Sequence, residues 1–161
     1  MKKVIIFLCL LFVSFLNPHQ TLAANNFITS YNTTYSVNPT GSTHVLFAIT
    51  LKNITSDYYA SSYTLHVGFM NATNFQAADT AGVINPEVTQ DKNGYKVRVL
   101  FNKRVVGLNN SLTFTLSFNT TDVAQKTGNI WEINIPGVIN QENFENFNVH
   151  VTVPPTFGAP T

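Results

Sequence analysis

An all-β domain is predicted by three features of this chain. Apolar and polar residues alternate with a period of two in segment after segment. The intervening stretches are short and carry Gly, Pro, Asn and Asp, and charged residues make up 11% of the 161 while Asn and Thr abound. A period of two marks strands with one face buried, and a surface of Asn and Thr suits a sheet in contact with water. The expected architecture is an antiparallel β-sandwich, immunoglobulin-like, of about eight strands. A closed barrel has the same periodicity and stands as the alternative.

The strands are read in order. Tyr31, Thr33, Tyr35 and Val37 share one face of the first, and Val45, Phe47, Ile49 and Leu51 define the second. Tyr63, Leu65, Val67 and Phe69 set the third, and a weaker one spans Ile84 to Thr89 with Val88. Tyr95, Val97, Val99 and Phe101 follow, then Leu112, Phe114, Leu116 and Phe118. Trp131, Ile133 and Ile135 form the seventh; Phe147, Val149, Val151 and Val153 the last. Turn signals separate them at Asn38 to Gly41, Thr55 to Asp57, Asp91 to Gly94, Gly107 to Asn110 and Pro136-Gly137. Asn93-Gly94 is the clearest hairpin, because glycine tolerates the positive backbone angles of a tight turn. Thr121 to Lys126 reads as a single turn of helix before Gly128.

Domain boundaries follow from composition. Lys2 and Lys3 precede the apolar run Val4 to Leu16, and Thr21-Leu22-Ala23 supplies small residues. That layout predicts a signal peptide over residues 1–23. A run of thirteen residues falls short of the roughly 20 that cross a bilayer. Residues 24–153 form the sandwich, and 154–161, rich in Pro and Gly, read as a tail or linker. The single cysteine, Cys9, lies in the apolar run. After cleavage the chain has no thiol for a disulfide, a nucleophile or a metal site, which points to a bacterial envelope protein. Loss of Lys2 and Lys3 also lowers nine basic residues to seven, against eight acidic ones. That balance excludes a phosphate-binding, nucleic-acid role.

No constellation assigns a reaction. His44, His66 and His150 each fall on the polar phase of a strand, as solvent-facing residues do. Glu132, Glu142 and Glu145 lie without the opposed pairing a glycosidase requires, and no serine occupies a Gly-x-Ser-x-Gly turn. Asp57, Asp79 and Asp91 sit in loops without the alternating oxygen ligands of a calcium loop. Trp131 is in phase with Ile133 and Ile135, which places it with the core and not on a sugar. The sequons at Asn32, Asn53, Asn71, Asn109 and Asn119 are what chance gives in a chain of this composition. No catalytic residue, cofactor or metal is expected. The candidate contact residues are Tyr58 and Tyr59, in the aromatic stretch Asp57-Tyr58-Tyr59. Tyr59 and Tyr63 share the phase of Leu65 and Val67 and are expected to cap or enter the core; Tyr58 belongs to the loop.

Four stretches together, NFITSYNTTYSV (26–37), THVLFAITLKNITSDYYASSYTLHVG (43–68), VRVLFNKRVVGLNNSLTFTLSF (97–118) and DVAQKTGNIWEINIPGV (122–138), carry a resemblance. The chain resembles the N-terminal β-sandwich region that precedes a transglutaminase-like domain in secreted or surface proteins of bacteria. The resemblance implies an accessory domain, since the catalytic Cys, His and Asp of such proteins belong to the domain that follows. The resulting expectation is a secreted, non-catalytic domain at the cell envelope, binding a protein or a cell-surface polymer, with no membrane span after signal cleavage. Two other readings are the front part of a transglutaminase-like enzyme and a carbohydrate-binding module.

Overall fold

The computed structural model describes residues 26–136 and 143–158. The proposed signal peptide, Cys9, Gly137 and Glu142 lie outside the described residues. Eleven strands are present among the described residues: β1 (Phe27–Val37), β2 (Thr43–Asn53), β3 (Tyr59–Val67), β4 (Ala72–Asp79), β5 (Gly82–Ile84), β6 (Glu87–Asp91), β7 (Gly94–Val106), β8 (Ser111–Thr120), β9 (Ala124–Thr127), β10 (Ile130–Ile133) and β11 (Asn143–Thr152). They form a six-stranded sheet in the order β11-β1-β2-β8-β4-β5, a three-stranded sheet β3-β7-β6 and the hairpin β10-β9. The chain is all-β, and none of these sheets closes into a barrel.

The alternating residues do what their period requires. Tyr31 and Tyr35 of β1, Val45 and Ile49 of β2, and Phe114, Leu116 and Phe118 of β8 are all buried on the inner face of the large sheet. Tyr63, Leu65 and Val67 of β3 and Val97 and Val99 of β7 are buried from the other side. Aromatic rings join the two faces: Tyr63 meets Phe114 at 5.5 Å between centroids, Phe101 meets Phe114 at 5.0 Å and Phe75 meets Tyr95 at 5.2 Å. The Asp91–Gly94 hairpin forms as expected, with Asp91 paired to Gly94. Gly94 is required there, since its φ is +133° and a Cβ would lie 2.1 Å from the Val67 carbonyl oxygen.

Several expectations need correction. Strand β4 was not foreseen, because Ala72–Asp79 carries little apolar alternation. The expected single strand over 84–89 is split: β5 belongs to the large sheet and β6 to the small one, with Pro86 between them. A proline cannot donate to a ladder, so the crossing falls where the chain would break anyway. Thr121 to Lys126 is not helical; Val123 and Ala124 are buried and Ala124–Thr127 pairs with Ile130–Ile133 as a hairpin. The last strand is not antiparallel to its neighbour. β11 runs parallel to β1, with Phe147 beside Tyr31 and Val151 beside Tyr35. Its Phe147, Val149 and Val151 hold the core phase but remain 37–43% exposed, because β11 is the sheet edge.

Candidate contact surface

One buried asparagine organises the end of the molecule that carries the tyrosines. Asn53 closes β2 and is fully buried. Its side-chain amide donates to the carbonyl oxygens of Tyr58 at 2.7 Å and Val105 at 3.5 Å, and its Oδ1 accepts from the Thr55 N–H at 2.9 Å. Its backbone N–H donates to the Asn110 carbonyl and its carbonyl accepts from the Asn109 N–H, both at 2.8 Å. Ile54 in turn donates to the carbonyl of Asn26. The β2–β3 connection, the β7–β8 turn and the start of β1 are thereby fixed together. Asn109 holds φ at +63°, a conformation Asn tolerates better than most residues.

On this frame Tyr58 is 59% and Tyr59 53% exposed. Val106, directly opposite Tyr59 across β3 and β7, is exposed, as are Ile54 and Leu108 in the two loops. The guanidinium of Arg104 lies 5.0 Å from the centre of the Tyr59 ring, a stacking that holds the ring in place. Tyr59 was expected to reach the core and does not. The register of β3 against β7 shifts between Ala60 and Ser62, so Ala60 is buried where Tyr59 would have been. Ala60 faces Val105 but Ser62 faces Leu100, so the extra residues of this irregularity lie on β7, and the buried positions of β3 change from even to odd across it. Tyr63, beyond it, is buried as expected.

The remaining candidates do not converge. His44 hydrogen-bonds Asn119 at 2.9 Å on the large sheet, while His66 meets Asp91 at 3.0 Å on the small one. His150 pairs with Thr34 on the edge strand. Among the described residues no group of three His, Cys, Asp or Glu side chains is arranged to hold a metal. Of the three aspartates expected in loops only Asp57 is in one; Asp79 closes β4 and Asp91 closes β6. Asp57 accepts from the Ser56 hydroxyl at 3.0 Å. Burial pushes the Asp79 carboxyl up, but the side chain of Asn102 and the N–H groups of Ala81, Asn102 and Gly82 outweigh it and hold it below its ordinary value. Asp91 is also held low, chiefly by the Asn93 N–H and then by His66. Glu132 is exposed on β10, and Glu145 on β11 accepts from the Ser30 hydroxyl at 3.2 Å.

At the other end of the sheets lies an open cleft of about 430 Å³, lined by Asn71, Gln90, Tyr95 and Asn119 among others. The carbonyl of Met70 accepts from both Gln90 and Tyr95 there. Sequence reasoning missed it because its polar residues come from four separate segments. Trp131 is half-buried and packs against the core, as its phase implied.

Residues 27–160 match the family described as predicted membrane protein (DUF2207), N-terminal domain. The chain belongs to that family. This overturns the resemblance to proteins with transglutaminase-like domains, which matched only short strand segments of a kind many β domains share. No curated protein matches the chain significantly.

Solved structures give distant likenesses. Native leukotriene A4 hydrolase from Saccharomyces cerevisiae is 13% identical over 70% of this chain and 19% of its own, with a TM-score of 0.47. An M1 zinc metallopeptidase from Deinococcus radiodurans is 14% identical over 65% of this chain and 22% of its own, with a TM-score of 0.41. A putative protease from Parabacteroides distasonis is 12% identical over 67% and 25%, with a TM-score of 0.34. This chain thus spans a quarter or less of each, and these likenesses carry no functional argument. Among the described residues no helix is long and apolar enough to cross a membrane.

Proposed function

We propose that this is a non-catalytic, extracytoplasmic domain of a membrane protein, whose role is to make contacts through the loop end that carries Tyr58 and Tyr59. The carrying observation is that five exposed apolar or aromatic side chains, Ile54, Tyr58, Tyr59, Val106 and Leu108, lie on the strand ends and loops joined through the buried Asn53. Aromatic side chains on a rigid frame are what contact surfaces use, because little entropy is lost when they bind. An N-terminal segment with the layout of a signal peptide and membership in a membrane-protein family support the extracytoplasmic placement. The body itself is a two-layer sandwich, immunoglobulin-like in having sheets face each other over one core, with a strand order of its own. Its partner is a protein or a cell-surface polymer.

Two measurements test this. An amine-reactive biotin reagent that does not cross membranes should label the domain in spheroplasts as fully as after lysis; labelling that requires lysis would overturn the placement. A photo-crosslinking residue in place of Tyr58 should give a discrete adduct in cells, and one in place of the exposed Val83 should not. Equal behaviour at the two positions would sink the contact role.

A further inference from the structure

The chain leaves this domain at the end opposite the tyrosines, and a stacked pair of rings fixes how it leaves. Because β11 is parallel to β1, Asn143 stands beside Ile28 and Thr152 beside Ser36. The strand therefore carries the chain away from the Asn26–Ile54 end, towards the turn between β1 and β2. Beyond it Pro154 is extended and Pro155–Phe157 makes a 3-10 turn. The ring of Phe157 then lies flat on Trp131, 4.1 Å between centroids and 5° between planes. Trp131 is held by the β9–β10 hairpin and by Gly41, where a Cβ would stand 2.8 Å from the indole. The Lys126 ammonium lies 5.8 Å from the indole centre, and Ile130 beside it is 72% exposed.

We infer that this end of the domain, marked by Lys126, Ile130, Trp131 and Phe157, faces and rests on the lipid bilayer, with the Trp131–Phe157 stack as the clasp that orients it. This rests on the reading of the chain as an extracytoplasmic domain. The family is described as the N-terminal domain of a predicted membrane protein; with the embedded part placed after it in sequence, the path towards the bilayer begins at Phe157. A tail of Pro and Gly composition would otherwise leave the orientation free; with Phe157 docked, the path starts from a fixed point and direction. The chemistry at that point suits the headgroup layer. Exposed Ile130 supplies an apolar tip, the indole is at home at the water–lipid boundary, and Lys126 faces anionic phosphates. The tyrosine end stands about 30 Å away, the length of a ten-residue strand. It points away from the bilayer and stays open to a partner.

The test uses the full-length membrane protein in a cysteine-free background, reconstituted in vesicles of phosphatidylcholine and phosphatidylglycerol that contain a doxyl-labelled lipid. Ile130→Cys and Leu108→Cys are each labelled with a fluorophore. Quenching several-fold stronger at position 130 is expected, and Phe157→Ala should reduce it while the thermal melt shows a folded domain. Equal quenching, or stronger quenching at position 108, would overturn the inference. Access of a water-soluble thiol reagent separates the two readings. Cysteines reached from outside but unquenched at 130 defeat the orientation alone, whereas cysteines reached only after the vesicles or cells are opened defeat the extracytoplasmic placement.

Discussion

The hydroxyls of Tyr31 on β1 and Tyr63 on β3 meet in a buried hydrogen bond that ties the six-stranded sheet to the three-stranded one. Apolar packing between the sheets has no fixed register, so this polar contact is a point where the two layers are aligned. Removing one hydroxyl leaves the other's hydrogen bonding incomplete, which costs about 1–2 kcal/mol. Tyr63→Phe and Tyr31→Phe should each lower stability by that order. In a double-mutant cycle the two should couple by about 0.5–1.5 kcal/mol. Additive losses in denaturant unfolding would show that the layers are not joined here.

Two residues along β1 the same accounting has the opposite sign. Thr33 is 1% exposed, and its hydroxyl has no hydrogen-bond partner among the described residues. A buried hydroxyl without a partner is unfavourable, and a methyl of similar shape avoids that cost. Thr33→Val should therefore raise stability, by about 0.5–1 kcal/mol, where a Thr→Val change at a satisfied site would lower it. Chemical denaturation of the purified domain decides this, and a lower midpoint would refute the reading.

The legible and illegible parts of the fold differ in physical kind. Strands β1, β2 and β8 could be read residue by residue, since each has one face buried along its whole length and period two survives intact. The register shift between Ala60 and Ser62 could not, because a break in the pairing with β7 leaves no mark in the side-chain chemistry of β3; it leaves Tyr59 at the surface and not in the expected core. Val123 and Ala124 illustrate another loss of signal. They are buried by tertiary packing in a segment too short to show either period. The parallel pairing of β11 with β1 is a fact of topology, and local alternation is the same for both directions. At the tyrosine end, Tyr58 was visible as an aromatic out of phase in a loop. Val106 and Leu108 were not, because their exposure depends on Asn53 bringing two distant loops together.

Asp122 carries a pH dependence whose sign follows from its partners. Its Oδ2 accepts from the N–H groups of Met70 at 2.7 Å and Asn71 at 2.9 Å, and its Oδ1 from the Asn71 side chain. Burial pushes the carboxyl up, but the side chain and N–H of Asn71 and the N–H of Met70 outweigh it, so it stays below its ordinary value. A carboxyl whose pKa is lower in the folded state contributes stability that is present above its unfolded value of about 4 and lost as pH falls through the folded value. Asp122→Asn should cost about 1 kcal/mol at neutral pH, a figure kept low because the site is partly open to water. Below about pH 4 the variant and the parent should converge. A difference that stays constant from neutral pH to pH 3 would show that charge plays no part in this clamp.

The clasp at the chain's exit gives the most direct optical test, because Trp131 is the one tryptophan in the sequence. Phe157→Ala removes a parallel ring at 4.1 Å and opens one face of the indole to water. Loss of such a pair costs about 0.5–1.5 kcal/mol beyond the buried area, and the emission of Trp131 should shift to longer wavelength. Gly41→Ala attacks the same indole at its Cζ3 and Cη2 atoms. Its Cβ would stand 2.8 Å from the indole, and φ at +90° disfavours any residue with a side chain. That variant should lose more stability than Phe157→Ala although it deletes no atom, since it adds backbone strain to a displaced ring. Thermal melts followed by tryptophan emission compare the two in one experiment. Unchanged emission in Phe157→Ala would mean that the tail does not dock on Trp131 in solution. An equal effect of the two variants would mean that the ring moves aside freely when Gly41 gains a methyl group.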